Sequence, residues 1–287
     1  MKIPFISLSL FTLVFSLACQ KDETIVASVP PAPTPPTLPI TYEFESTPFW
    51  SDEFNKDGLP DATKWGYDVG GGGWGNNELE YYTKENAKNA RIESGNLIIE
   101  AIKERFENRN YTSARLVTKG KGDFLYGRFE IKAKLPQGRG TWPAIWMLAS
   151  ESNYGTSYWP DNGEIDIMEH VGYDPNVVHS SVHTKAYYHS IGTQRTGKTN
   201  VPTAMTDFHV YRVDWTPQKI EAYIDGNLFF TFENENSGWQ RWPFDKKQHL
   251  LLNIAIGGDW GGQKGIDDSV FPQKMLVDYV RVYKLKQ

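Results

Sequence analysis

Arg128-Phe129-Glu130-Ile131-Lys132-Ala133-Lys134-Leu135 alternates charge and hydrophobe without a break. Successive side chains of an extended chain point to opposite faces, so this stretch lays Phe129, Ile131, Ala133 and Leu135 on one face and its charges on the other. A helix would scatter the same charges around all its sides, so the period of two predicts a half-buried strand.

The same period recurs outward from there. Ile220, Ala222 and Ile224 lead into Asp225-Gly226, a hairpin signal, and then Leu228, Phe230 and Phe232. Near the C-terminus Leu276, Asp278, Val280 and Val282 alternate with Val277, Tyr279, Arg281 and Tyr283. Leu250-Leu251-Leu252-Asn253-Ile254-Ala255-Ile256 predicts a strand buried on both faces. No long amphipathic helix and no fixed repeat interrupts the pattern. Many strands and Gly-rich turns in one domain predict an all-β sandwich of two antiparallel sheets. Large sandwiches of this kind bend, and the concave face of one sheet becomes a groove.

The N-terminal 42 residues are of another kind. Lys2 followed by the apolar run Phe5–Ala18 reads as an export signal over residues 1–18. The run is too short to cross a bilayer, which takes about 20 apolar residues. Cys19 is the sole cysteine among 287 residues, which excludes an intrachain disulfide framework. It follows Ser16-Leu17-Ala18 in a pattern that resembles a bacterial lipoprotein cleavage site, so Cys19 is the expected lipidated residue. Gln20-Lys21-Asp22-Glu23 resembles the acidic tag of surface-exported lipoproteins. Pro30, Pro31, Pro33, Pro35, Pro36 and Pro39 make residues 19–42 a semi-rigid tether. The expectation is an exported lipoprotein at the cell surface or outer membrane, a monomer that meets the membrane only through its lipid, with residues 43–287 as its working domain.

The net charge is −5 and no basic stripe occurs, which argues against nucleic acid as a partner. Aromatic residues are abundant: 10 Trp, 15 Tyr and 15 Phe. Rings in such number can fill a core or line a cleft, where the apolar C–H faces of sugars pack on them. The excess favours a carbohydrate ligand.

The sharpest chemical feature is Gly163-Glu164-Ile165-Asp166-Ile167-Met168-Glu169-His170. On a regular strand Glu164 and Asp166 share a face, and Glu169, at an odd offset, points the other way. A β-bulge near Ile167-Met168 returns Glu169 to the acidic face, and bulges recur beside active sites. Four strand steps then separate the glutamate backbones by about 13 Å. Inward-leaning side chains can close that gap towards the ~5–5.5 Å of retaining glycosidases. Glu164 is the expected nucleophile and Glu169 the general acid/base. Asp166 between them is expected to keep Glu169 protonated while Glu164 stays ionised, or to share a proton with Glu164. Two rivals are a solvated edge strand and a metal site built from the three acids.

With these residues in view, the chain resembles glycoside hydrolase family 16, in its laminarinase (endo-β-1,3-glucanase) branch, over roughly residues 48–285. Glu164, Asp166 and Glu169 match the bulged form of that family's catalytic strand. Trp74-Gly75-Asn76-Asn77-Glu78-Leu79-Glu80-Tyr81-Tyr82-Thr83 resembles its substrate loop. Ser113-Ala114-Arg115-Leu116, Trp142-Pro143-Ala144-Ile145-Trp146-Met147-Leu148 and Ile256-Gly257-Gly258-Asp259-Trp260 match further segments, although Gly261 stands where the family often has proline. The resemblance implies a β-jelly roll with a substrate cleft on the concave sheet, and a β-glucan polysaccharide or oligosaccharide as partner. No cofactor for catalysis is expected. A structural Ca²⁺ is implied on the convex side, held by Asp278, the backbone of Gly95 and Glu53.

Each matched cleft residue also has a physical reading. Trp142 and Trp146 share strand parity and can both face the groove as stacking platforms. Asn76 follows the glycine run Gly70–Gly73 and can bind sugar hydroxyls or serve turn chemistry. Arg115 can donate a forked pair to hydroxyls or form a structural ion pair. His183 shares a face with His179 and Ser181, where it can bond near the acid/base, bond a substrate hydroxyl or be structural. Trp260 walls the cleft or packs in the core.

Gly192-Thr193-Gln194-Arg195-Thr196-Gly197-Lys198-Thr199 fits a phosphate-loop pattern letter for letter, but no buried strand precedes it and Pro202 sits where a helix should run. It reads as a surface loop. Other family specificities, on mixed-linkage glucan or agar-type galactan, stay open, as does transglycosylation. A non-catalytic glycan-binding surface protein is a different class, and it would not need all three acids.

Overall fold

The computed structural model describes residues 41–286. The expected export signal, Cys19 and nearly all of the Pro-rich tether lie outside them. The described residues form one compact unit. No helix among the described residues is long and apolar enough to cross a membrane.

The strands in chain order are β1 Trp50–Asp52, β2 Gly66–Asp68, β3 Glu80–Tyr82, β4 Ala90–Glu93, β5 Asn96–Ala101, β6 Tyr111–Ser113, β7 Arg115–Val117, β8 Asp123–Phe124 and β9 Gly127–Lys134. They continue as β10 Thr141–Ala149, β11 Glu164–His170, β12 Val177–His183, β13 Arg195–Asn200, β14 His209–Trp215, β15 Lys219–Ile224, β16 Asn227–Glu233, β17 Gln248–Ile256 and β18 Gln273–Tyr283. One sheet runs β16-β15-β14-β9-β18-β5-β4, with β1 added on β18. The other, which carries the cleft, runs β13-β12-β11-β10-β17-β7-β2, with β8 added on β17. Every ladder in both sheets is antiparallel, and the architecture is the expected β-jelly roll.

The opening octet behaves as its alternation predicts. Phe129, Ile131 and Ala133 are fully buried on β9, and Leu135 just beyond the strand is buried too. They meet Ile145, Met147, Ile165, Val182 and Leu252 of the cleft sheet in one core. β17, expected to be covered on both sides, is buried along its whole length. Core residues of this kind contribute about 1.5–3 kcal/mol each by burial.

Two alternations break where a strand bulges. On β18 the buried row is Met275 and Val277, then Val280 and Val282, because the register against β9 shifts between Val277 and Tyr279. Asp278 is the extra residue, which explains an acid within an apolar row. On β16 the register against β15 shifts beside Phe229, and Leu228 is left exposed while Phe230 and Phe232 stay buried. The phosphate-loop lookalike becomes a turn and β13, the edge strand of its sheet, with no helix after it.

Candidate active site

β11 carries the acids, and its register shows how they converge. Against β12, Asp166 faces Ser181 and Glu169 faces His179, so three steps on one strand match two on the other. Against β10, Asp166 faces Trp146 and Met168 faces Ile145, which leaves Ile167 as the extra residue. Ile167 and Met168 are consecutive and both buried. The bulge therefore lies where the parity of Glu169 requires it, and Glu164, Asp166 and Glu169 all line one cleft of about 380 Å³. Gly163 sets the entry to the strand with φ +84°, and a Cβ there would lie 2.7 Å from the ring of Phe244.

Each glutamate is held by an indole. Trp142 Nε1 donates to Glu169 Oε1 at 3.0 Å. Trp159 Nε1 donates to Glu164 Oε2 at 2.5 Å. Asp166 is 2% exposed, and its Oδ2 lies 3.3 Å from Nε2 of His183. Ligand atoms of Glu164, Asp166 and His183 fall within 4.8 Å of one another.

Burial raises all three carboxyls. It pushes Glu164 up to about 8, helped by the charge of Asp166, while His183 and the Trp159 bond act the other way. It pushes Glu169 up to about 7, with Glu164 adding to the rise and His183 and the Trp142 bond opposing it. Asp166 is raised well above the ordinary aspartate range by burial and then by Glu169. Burial thus raises the two glutamates together. Each glutamate has His183 and an indole donor to support its charge, and Glu164 in addition sits against Asp166. A shared proton between Glu164 and Asp166, the other expectation, fits their mutual hydrogen bond.

The remaining expected residues divide. Trp142 and Trp146 both line the cleft, with Ala144 between them, while Ile145 and Met147 are buried behind. Asn76 lines the cleft and donates to Glu78 Oε1 at 3.2 Å. Arg115 lines it too, with its guanidinium 4.7 Å from the ring centres of both Trp74 and Trp146 and its Nε 3.0 Å from Asp68 Oδ2. It thus serves the cleft and a structural ion pair together. His183 is not in the wall: it is buried beside Asp166 and acts on the acids. Trp260 also stands outside the lining, edge-on to Trp142 at 5.5 Å and to His179 at 5.0 Å, so it props a cleft tryptophan.

The residues expected to hold calcium do not make a site as they lie. The β1–β18 and β18–β5 ladders bring Glu53, Gly95 and Asp278 to one region of the outer sheet. But Glu53 takes a forked pair from Arg281 at 2.7 and 2.9 Å, and Asp278 pairs with Lys132 at 2.7 Å. Both carboxylates are matched by the protein's own cations.

Several further residues line the cleft beside those singled out from the sequence. Trp159 and Tyr158 come from the loop before β11, Trp74 and Glu78 from the segment before β3, and Asn253 from β17. Trp159 stands five residues before Glu164 outside any strand, so parity could not place it. Asn253 was visible as the lone polar residue in an apolar run.

Comparison with known proteins agrees with this geometry. Residues 77–281 match the model of glycosyl hydrolases family 16. A beta-glucanase of Rhodothermus marinus is 61% identical over 240 residues, covering 82% of this chain and 84% of that protein. A glucan endo-1,3-beta-glucosidase of Cryptopygus antarcticus is 37% identical over 232 residues, covering 77% of this chain and 84% of that protein. The X-ray structure of the laminarinase from Rhodothermus marinus superposes with a TM-score of 0.84 at 58% identity, covering 86% of this chain and 99% of that one. A bulged strand that gathers three acids into a tryptophan-lined cleft, and a family match that spans both sheets, place this chain in glycosyl hydrolases family 16.

Proposed function

We propose that the domain hydrolyses β-1,3-glucan internally, by double displacement with retention at the anomeric carbon. The observation that carries this is the bulge at Ile167, which turns Glu169 onto the face of Glu164 and Asp166. A carboxylate oxygen of Glu164 attacks C1. The C1–O bond to the leaving sugar breaks, and the proton of Glu169 goes to that oxygen. Water then attacks C1, Glu169 takes its proton, and the Glu164–C1 bond breaks. Asp166, the most buried of the three, holds a proton and donates it in a hydrogen bond to Glu164, so that Glu164 reacts as the anion. Trp142, Trp146 and Arg115 bind the glucan around this centre. No step uses a metal.

The test is a product profile on laminarin, lichenan and agarose, with the first-formed anomer followed by NMR. The β-anomer from laminarin supports the proposal, and the α-anomer overturns retention. Preferential cleavage of lichenan or agarose overturns the linkage assignment in favour of another family specificity. We also propose that the domain is exported and tethered as a monomer by a lipid on Cys19. The apolar run before that cysteine and the prolines after it support this. Membrane fractionation of wild type against Cys19→Ser tests it: release of the variant supports the anchor, and unchanged membrane association overturns it.

A further inference from the structure

At the floor of the cleft lies a second pair of acids that the reaction does not use: Glu78 lines it and Glu80 lies beneath. Glu80 on β3 is fully buried, and Glu78, two residues earlier, is 4% exposed. Glu80 Oε2 accepts the backbone N–H of Ile256 at 2.6 Å, while its Oε1 meets no donor. The group beside it is the carboxyl of Glu78. Two buried carboxyl oxygens satisfy each other only when a proton lies between them.

With that proton on Glu80, every hydrogen bond around the pair has a direction. Glu78 Oε1 accepts from Asn76 Nδ2 at 3.2 Å, and Glu78 Oε2 accepts from Tyr82 Oη at 3.0 Å. Tyr82 Oη in turn accepts from Asn253 Nδ2 at 3.0 Å. Asn253 Oδ1 accepts from Trp146 Nε1 at 2.8 Å. Each donor on this path bonds one acceptor, and the path ends on the charge of Glu78. Chains of this kind polarise one another and stiffen. Their outer ends, Asn76 and Trp146, both line the substrate cleft.

We propose that Glu78 and Glu80 are a positioning pair for glucan binding: one proton held between them makes Glu78 the anionic acceptor that fixes Asn76 directly and Trp146 through Tyr82 and Asn253. Neither acid need touch the scissile bond. The pair acts on the placement of the sugar, so its loss raises KM more than it lowers kcat. When Glu80 loses its proton, two buried charges face each other and the cleft floor loosens. The charged and titratable groups around the pair are Tyr82 on β3 and Arg115 on β7, and β17 offers it only Asn253 and the Ile256 N–H. This inference rests on the glucan reading for its substrate.

The experiment compares wild type, Glu80→Gln and Tyr82→Phe on laminarin across neutral and alkaline pH. An amide at position 80 still accepts from Ile256 and donates permanently to Glu78. The KM of wild type rises on the alkaline side, whereas that of Glu80→Gln stays flat with a similar kcat. Tyr82→Phe, which cuts the path to Asn253, raises KM about tenfold at every pH with kcat little changed. A Glu80→Gln profile that tracks wild type, or an unaltered KM in Tyr82→Phe, overturns the proposal. The indole N–H resonance of Trp146 is a readout that needs no substrate. It shifts in Tyr82→Phe if the path exists, and an unmoved resonance overturns it. Failure of wild type to cleave laminarin would instead sink the glucan reading, and the resonance still decides the pair.

Discussion

Trp159 and Glu164 are joined by a 2.5 Å hydrogen bond from the indole Nε1 to Oε2, across a loop that enters β11. The bond opposes the burial that pushes Glu164 up to about 8, and so favours the ionised nucleophile. Trp159→Phe keeps a ring and removes the donor. Glu164 then ionises at higher pH, and the acid limb of the kcat/KM profile moves upward. Loss of one bond to a charged group is expected to lower kcat/KM at the optimum by about tenfold. A pH–rate profile checks this, and an unmoved acid limb contradicts it.

Trp142 makes the matching bond to Glu169 at 3.0 Å, with the opposite consequence for activity. Here the donor lowers the pKa of a group that must be protonated to act, set near 7 by burial against His183 and the indole. Trp142→Phe therefore moves the alkaline limb upward. The limbs belong to the coupled acids together, so the comparison is between variants rather than with a single residue.

Arg115 lies between two tryptophan faces at 4.7 Å from each ring centre. A planar guanidinium stacks there, and an ammonium does not. Arg115→Lys should raise KM for laminarin several-fold, in keeping with about 1 kcal/mol of lost stacking, and leave kcat nearly unchanged. Steady-state kinetics separate the two; a fall in kcat alone would place Arg115 in the chemical step.

Trp215 tests the sandwich itself. It is fully buried, stacks on Phe129 and donates to the carbonyl of Phe244 at 3.0 Å. Trp215→Ala is expected to cost about 3–5 kcal/mol and to lower Tm by roughly 10 °C. Thermal unfolding by circular dichroism measures it, and a change of a degree or two would mean that the two sheets are not locked at this residue.

Much of this was legible in the chain. Phe129, Ile131 and Ala133 point inward as their spacing requires, and the odd offset of Glu169 from Glu164 requires the bulge found at Ile167. The bulges at Asp278 and Phe229 went unseen because nothing there demands a particular face. Trp159 and the Glu78–Glu80 pair were hidden for another reason: their partners, Glu164, Asn253 and Ile256, are brought to them by a loop or by strand pairing across the chain, and residue spacing does not report such contacts. His183 had the right strand face, but it is buried against Asp166 rather than lining the cleft.

The central claim is that the bulge presents Glu164 as the nucleophile. A 2-fluoro laminari-oligosaccharide with a good leaving group slows hydrolysis of the covalent intermediate, which peptide mapping by mass spectrometry can then locate. The account predicts a single glycosyl adduct on Glu164. An adduct on Asp166 or Glu169, or full turnover with no adduct at all, would contradict it.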